Sequence, residues 1–304
     1  MKLAIGFIGL GDIGAPMATR ILMGGFDLVV WNRTASKMDP LVAAGATVAR
    51  SAADLARRCD IVCLCVDSPQ AIEEIVFGLD GVVAGAGRAR LLLDNSTTHP
   101  QRTREMAQRL KEMTSMAWLD VPVSGGPVGA RAGTLAAMAG GDAADLDFAR
   151  PIIMSYANRV TLMGSVGCGQ ATKACNQVIN FGTIAALAEA LTLGERYGLD
   201  VSRLPEALSG GFADSNIMKE YDRCVTNNDF TGIGLLVRAL GMLYQGDIHP
   251  ALGGKLGLLM KDIGIALELG HHTSSAMPLM GLLDAQFRVI HNHKPVRTEP
   301  DSRP

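Results

Sequence analysis

The six residues Gly9-Leu10-Gly11-Asp12-Ile13-Gly14 constrain this chain more than any other stretch. They follow directly on the strand-like run Leu3–Ile8 and lead into a helical pattern over Ala15–Met23. Each glycine has its own reason to be there. The first permits a tight turn, the second lets the backbone meet a pyrophosphate, and the third lets the helix pack on the strand. The phosphates then lie at the positive end of the helix. The motif alone is a weak signal in a chain with 35 glycines among 304 residues. Its strand–turn–helix setting marks a dinucleotide-binding element, with Gly9, Gly11, Asp12, Ile13 and Gly14 as the expected contacts.

The pattern around it agrees. Strand-like runs at Leu28–Trp31, Ile61–Val66 and Leu91–Asp94 alternate with helical patterns at Ser51–Arg58 and Gln70–Phe77. Strands separated by helices imply a parallel sheet built of βαβ units. Further strand candidates are Ala117–Val121, Leu135–Ala139 and Arg159–Met163, and from Gly169 the strand signals stop. Gln170–Tyr197 then reads as a long helix, followed by helical candidates at Ser202–Ser209, Ile217–Cys224, Gly253–Leu269 and Pro278–Arg288. The expected architecture is an α/β Rossmann-type domain over residues 1–165 and an all-α domain over 166–290, joined by the long helix. A loose, polar tail is expected over 291–304.

The end of the second strand selects the dinucleotide. An acidic residue about twenty positions past the glycine turn holds the ribose 2′-hydroxyl of NAD in such folds. Here the strand ends in Asn32-Arg33-Thr34, with no carboxylate. A guanidinium can pair with a 2′-phosphate through its fork of donors. NADP(H) is therefore expected over NAD(H).

Two further stretches carry chemistry. In Asp120-Val-Pro-Val-Ser124-Gly125-Gly126-Pro127 the hydroxyl of Ser124 and the consecutive amides of Gly125 and Gly126 can form a nest for a carboxylate. An ordinary glycine-rich turn has the same composition. The start of the long helix places Lys173, Asn176, Gln177 and Asn180 at i, i+3, i+4 and i+7, one helical face. The neighbours Ala174, Val178, Ile179, Phe181 and Ile184 are apolar, and a polar stripe on a helix fit for burial is unfavourable unless something uses it. A lysine in such surroundings gives up its proton more readily and can pass one near neutral pH. The alternative is a lysine that snorkels to solvent.

Taken in order, these elements resemble the β-hydroxyacid dehydrogenase family, which includes 3-hydroxyisobutyrate dehydrogenase, 2-hydroxy-3-oxopropionate reductase and glyoxylate/succinic semialdehyde reductases. The nucleotide motif matches Gly6–Met17, the substrate motif Asp120–Leu135 and the catalytic motif Gly167–Gln177. The resemblance implies that Lys173 is the catalytic lysine and Asn176 the amide that orients substrate. It implies that Ser124, Gly125, Gly126 and Gln177 bind substrate. Lys261 and Asp262 match a pair supplied by the helical domain, with Lys261 also near cofactor. Asn32, Arg33 and Thr34, Val66-Asp67-Ser68, and Ser96-Thr97 match loops that line the cofactor. Three features depart from the family: Val66 where Pro is frequent, Gly254 where an aromatic is usual, and an apparent insertion over 232–250.

Other readings are narrower. A net charge of −2 leaves no basic footprint for nucleic acid. No apolar run reaches the ~18 residues of a membrane span, and the N-terminus lacks a leader pattern. A cytoplasmic location is expected, with no membrane partner. The six cysteines lack paired spacing, Cys63-Leu-Cys65 reads as buried thiols because it sits in an apolar strand pattern, and His271-His272 and His291-x-His293 lack a metal-ligand pattern. The expected activity is hydride transfer between NADP(H) and a small β-hydroxyacid or semialdehyde. Rivals are 3-hydroxyisobutyrate dehydrogenase proper, an imine-reductase-like enzyme, against which Lys173 speaks, and a non-catalytic NADP-binding scaffold. The family implies a homodimer or homotetramer.

Overall fold

The computed structural model describes residues 3–248 and 255–293, and the chain divides into two compact units, Met1–Ala174 and Cys175–Pro304. In the first unit, strands β1 (Ala4–Ile8), β2 (Asp27–Trp31), β3 (Thr47–Val48), β4 (Ile61–Leu64), β5 (Leu91–Asp94) and β6 (Ala117–Asp120) form one parallel sheet. Their order is β3-β2-β1-β4-β5-β6. The order reverses between β1 and β4, which opens a crevice at the carboxyl ends of those strands where doubly wound sheets bind ligands.

Alternation along the strands fixes both faces of the sheet. Ile5, Phe7, Ile61, Cys63, Leu91, Leu93 and Leu119 point to one core, shared with α1 (Gly14–Met23). Ile8, Val62, Leu64, Leu92 and Trp118 point to the other. That second face is covered by α3 (Ala52–Arg58), α4 (Pro69–Phe77) and α5 (Pro100–Met113). The short α2 (Asp39–Ala43) precedes β3. Burial on both faces explains why these strands read as nearly continuous apolar runs.

A second, three-stranded sheet departs from the expected pattern. Here β7 (Val123–Ser124) pairs antiparallel with β8 (Leu135–Ala139), and β8 pairs parallel with β9 (Ala157–Leu162). Between them lie α6 (Gly126–Ala132) and α7 (Ala143–Tyr156), neither legible beforehand. The glycines of α6 have low helix propensity, and α7 carries Pro151 in its interior. Helix α5 was also hidden, because its buried stripe is only Pro100, Thr103, Met106 and Leu110 on an otherwise polar helix.

The long helix α8 (Cys168–Tyr197) begins in the first unit and continues into the second. By length and composition α8 alone among the described helices matches a bilayer span, yet half of its most apolar window is buried inside the protein, as in a core helix. The second unit adds α9 (Leu204–Leu208), α10 (Asn216–Thr226), α11 (Gly232–Tyr244), α12 (Lys255–His272) and α13 (Pro278–Asn292). Phe181 of α8 packs edge-to-face on Phe287 of α13 at 6.0 Å between ring centroids. The expected Ser202–Ser209 helix is a 3-10 turn, Val201–Arg203, followed by α9. Most of the apparent insertion is α11, whose Arg238 stacks on Phe230. Residues 249–254, which include Gly254 and the expected start of the Gly253–Leu269 helix, lie outside the described residues, as do 294–304 of the expected tail. Residues 291 and 292 of that tail are helical.

Candidate active site

The glycine turn sits where the sheet order reverses. Gly9 has φ +95°, and a Cβ there would collide with the carbonyl oxygen of Cys65 at the end of β4. A Cβ on Gly14 would collide with the carbonyl oxygen of Gly9. Gly11 is different: nothing lies within 4 Å of a Cβ built on it. No protein atom requires a glycine at that point, which fits a position kept bare for a ligand. Helix α1 begins beside this bare position and has neither a side-chain cap nor an acidic residue in its first turn, so its positive end is left uncompensated. These residues fit the pyrophosphate of a dinucleotide.

Asn32 supports the turn from β2. Its Oδ1 accepts from the Leu10 amide at 2.9 Å, and its Nδ2 donates to the Thr34 carbonyl at 2.9 Å. Its amide therefore stiffens the loop. Arg33 and Lys37 lie just beyond it, exposed, and no described residue pairs with either side chain.

The loops after β4 and β5 are linked. The Val66 amide donates to Ser96 Oγ at 3.0 Å, and Asn95 N–H to the Leu64 carbonyl at 2.7 Å. Ser68 caps α4 by accepting from Ala71 N–H at 3.2 Å. Asp67 and Thr97 lie in the same two loops.

Past β6, Ser124 ends β7 and Gly125 turns the chain at φ +129° into α6. Gly126 has φ +60° and open space where a Cβ would stand. The N-terminus of α6 has no side-chain cap and no acidic residue in its first turn. A bare, uncapped turn beside a serine hydroxyl has the donors a carboxylate needs.

Asp120 ties this loop to α8. The residue is fully buried, and its carboxylate accepts from Gly167 N–H at 2.7 Å and from Gln170 N–H at 2.9 Å. Burial pushes its carboxyl up to about 6, against the Gly167, Gln170 and Gly169 amides that pull it down. Since this lies above the ordinary 3.8, folding favours the protonated form. That contribution to stability is whole below pH 3.8 and is lost as pH rises through 6. Between pH 4 and 7 the wild type should lose about 2 kcal/mol of unfolding free energy relative to Asp120→Asn. Denaturant titrations at both pH values measure the difference, and equal slopes for the two proteins would remove Asp120 as its source.

Lys173 stands one turn beyond Gln170 and is only 8% exposed. Gln170 itself is fully buried. Its Oε1 accepts from Thr98 N–H at 3.1 Å and its Nε2 donates to the Ser96 carbonyl at 2.8 Å. Gln170 lies inside the Gly167–Gln177 motif, where nothing in its spacing sets it apart from its neighbours.

In the second unit Gln177 is a hub. Its Oε1 accepts from Asn176 at 3.0 Å and Asn180 at 3.2 Å, while its Nε2 donates to Asp262 at 2.6 Å. Lys261 Nζ lies 3.6 Å from the other Asp262 oxygen. The polar stripe expected on α8 is thus real in this unit, and α12 supplies its partner.

Residues 4–164 match the family model described as the NAD binding domain of 6-phosphogluconate dehydrogenase. Residues 167–246 match the one described as NAD-binding of NADP-dependent 3-hydroxyisobutyrate dehydrogenase. The chain is 34% identical to the NAD-dependent L-serine dehydrogenase of Pseudomonas aeruginosa, over 94% of this chain and 91% of the other. It is also 34% identical to the 2-hydroxy-3-oxopropionate reductase of Escherichia coli, over 87% and 83%. Among solved structures it is similar to Mycobacterium tuberculosis 3-hydroxyisobutyrate dehydrogenase with L-serine. The TM-score is 0.74 and the identity 29%, with 95% of this chain and 94% of that one covered.

Proposed function

The chain belongs to the β-hydroxyacid dehydrogenase family of NAD(P)-dependent oxidoreductases, and we propose that within it this protein interconverts a small carboxylate-bearing semialdehyde and its β-hydroxyacid with NADP(H). The observation that carries the reading is the buried Lys173 on the helix whose next turn bears the Asn176–Gln177–Asn180 amides. When bound, the nicotinamide supplies or accepts the hydride. The first turn of α1 and the bare Gly11 hold the pyrophosphate, and Arg33 holds the 2′-phosphate. Ser124 Oγ and the Gly125 and Gly126 amides hold the substrate carboxylate. Lys173 Nζ gives a proton to the carbonyl oxygen in reduction and takes one from the hydroxyl in oxidation. Asn176 orients that oxygen, Gln177 and Asp262 fix Asn176, and Lys261 pairs with Asp262. We place the functional boundary between the dinucleotide-binding and helical parts near residue 165, and expect a homodimer or homotetramer.

Initial rates of NADPH and NADH oxidation with glyoxylate, succinic semialdehyde and 2-hydroxy-3-oxopropionate test this. The reverse direction uses 3-hydroxyisobutyrate and L-serine, the compounds in the relatives' names. NADPH should be preferred at least tenfold. Arg33→Ala should raise its KM about 10–100-fold with little change for NADH, the loss expected for a charge-assisted contact of about 1.5–3 kcal/mol. A tenfold preference of the wild type for NADH would overturn the role of Arg33. Absence of turnover with every compound would favour a binding scaffold.

A further inference from the structure

We propose that Gln170 is a positioning residue that couples the dinucleotide-lining loops to the helical turn bearing Lys173, so that dinucleotide binding sets the place of the proton donor. The inference rests on the functional reading above. Gln170 joins the loop after β5 through its side chain and Asp120 at the end of β6 through its backbone amide, and the loop after β4 is tied in through Ser96. The loop after β5 is held twice, through Thr98 N–H at 3.1 Å and the Ser96 carbonyl at 2.8 Å. The loop after β4 is joined to it through Val66 N–H and Ser96 Oγ at 3.0 Å. Asp120, at the end of β6, holds the backbone of Gln170 and of Gly167.

The chemistry makes the link stiff. Gln170, Asp120 and Thr98 are fully buried, and Ser96 is 2% exposed. In such surroundings each donor and acceptor must keep its partner, so the 96–98 loop and the first turn of α8 move together or not at all. An amide is the side chain suited to this task, because it accepts from one backbone group and donates to another. Asp120 removes the remaining freedom by binding two amides of the helix start, which otherwise lack intrahelical partners. Lys173 follows at i+3 on the same helical face. A displacement at Ser96 or Thr98 is therefore transmitted to the helix axis and not to a side chain alone.

Hydrogen exchange read on peptides covering residues 168–176 tests the coupling. The probe is whichever of NADPH and NADH the wild-type chain binds more tightly. In the wild type, saturating dinucleotide should slow exchange there about tenfold. Gln170→Met keeps the side chain's bulk and removes both hydrogen bonds. It should still bind dinucleotide within about threefold of wild type, lose the slowing, and lose kcat by about 30-fold with KM for dinucleotide little changed. If this variant does not fold, Gln170→Glu keeps the size and the acceptor while losing the donor to Ser96, and is expected to behave likewise. Slowing retained in the folded variant would overturn the coupling while leaving the active-site reading intact. No dinucleotide binding by the wild type would overturn that reading and the coupling with it.

Discussion

Lys173→Ala should lower kcat by about a thousandfold and leave dinucleotide affinity within about threefold of wild type. Proton transfer by a positioned side chain contributes typically 10²–10⁴ in rate. In the matched motif segments no histidine stands beside Lys173 to take over the task. The side chain is 8% exposed, so water does not readily replace it. Pre-steady-state rates with deuterated NADPH separate this loss from product release, because a chemical step made rate-limiting should reveal the isotope effect. Lys173→Ala at wild-type rates would eliminate it as the proton donor. A matching loss of dinucleotide affinity would make Lys173 a binding residue. Lys173→Arg sharpens the point, since it keeps the charge on a group that does not titrate and is expected to restore little of the rate.

The second large effect separates two glycines of one motif. Gly11→Val should abolish measurable dinucleotide binding, a loss of at least 100-fold, with a Tm within about 2 °C of wild type. Open space surrounds its Cβ position, so the protein itself offers no resistance. The side chain would instead fill the space where the pyrophosphate meets the backbone. Gly14→Ala should do the opposite to stability. Its Cβ would run into the Gly9 carbonyl oxygen, which joins α1 to β1. Backbone has little room to move there, and overpacking of this kind costs about 1–3 kcal/mol, or several degrees in Tm. Thermal melts paired with dinucleotide titrations of the two variants distinguish these outcomes. Destabilisation by Gly11→Val equal to that of Gly14→Ala would show that the motif is a packing device at both positions.

Both effects concern residues that the sequence alone marks out. The motif already assigns separate tasks to Gly9, Gly11 and Gly14, and the structure gives the division its cause: two are required by neighbouring carbonyls and one by nothing in the protein. Lys173, Asn176, Gln177 and Asn180 were legible because helical spacing is a local property. The partner of Gln177 was not derivable from spacing, since Asp262 lies on α12, and only the resemblance had marked it. Asn32 looked like a missing acid and is in fact a brace between Leu10 and Thr34. Helices α5, α6 and α7 escaped notice because a narrow apolar stripe, glycines or an internal proline weaken the pattern that reveals a helix.

By itself the sequence determined the alternation of strand and helix, the dinucleotide turn and the identity of the groups able to bind phosphate, carboxylate and a proton. These depend on local steric rules and on side-chain chemistry, which travel with the residues. Tertiary structure alone decided that β7, β8 and β9 leave the main sheet, that Asp120 is fully buried with its carboxyl pushed up by burial, and that Gln170 ties the loop after β5 to the start of α8 beside Asp120. Such facts arise from contacts between residues 47 to 74 positions apart. Burial and hydrogen-bond partnership at that separation exist only once the chain has closed on itself.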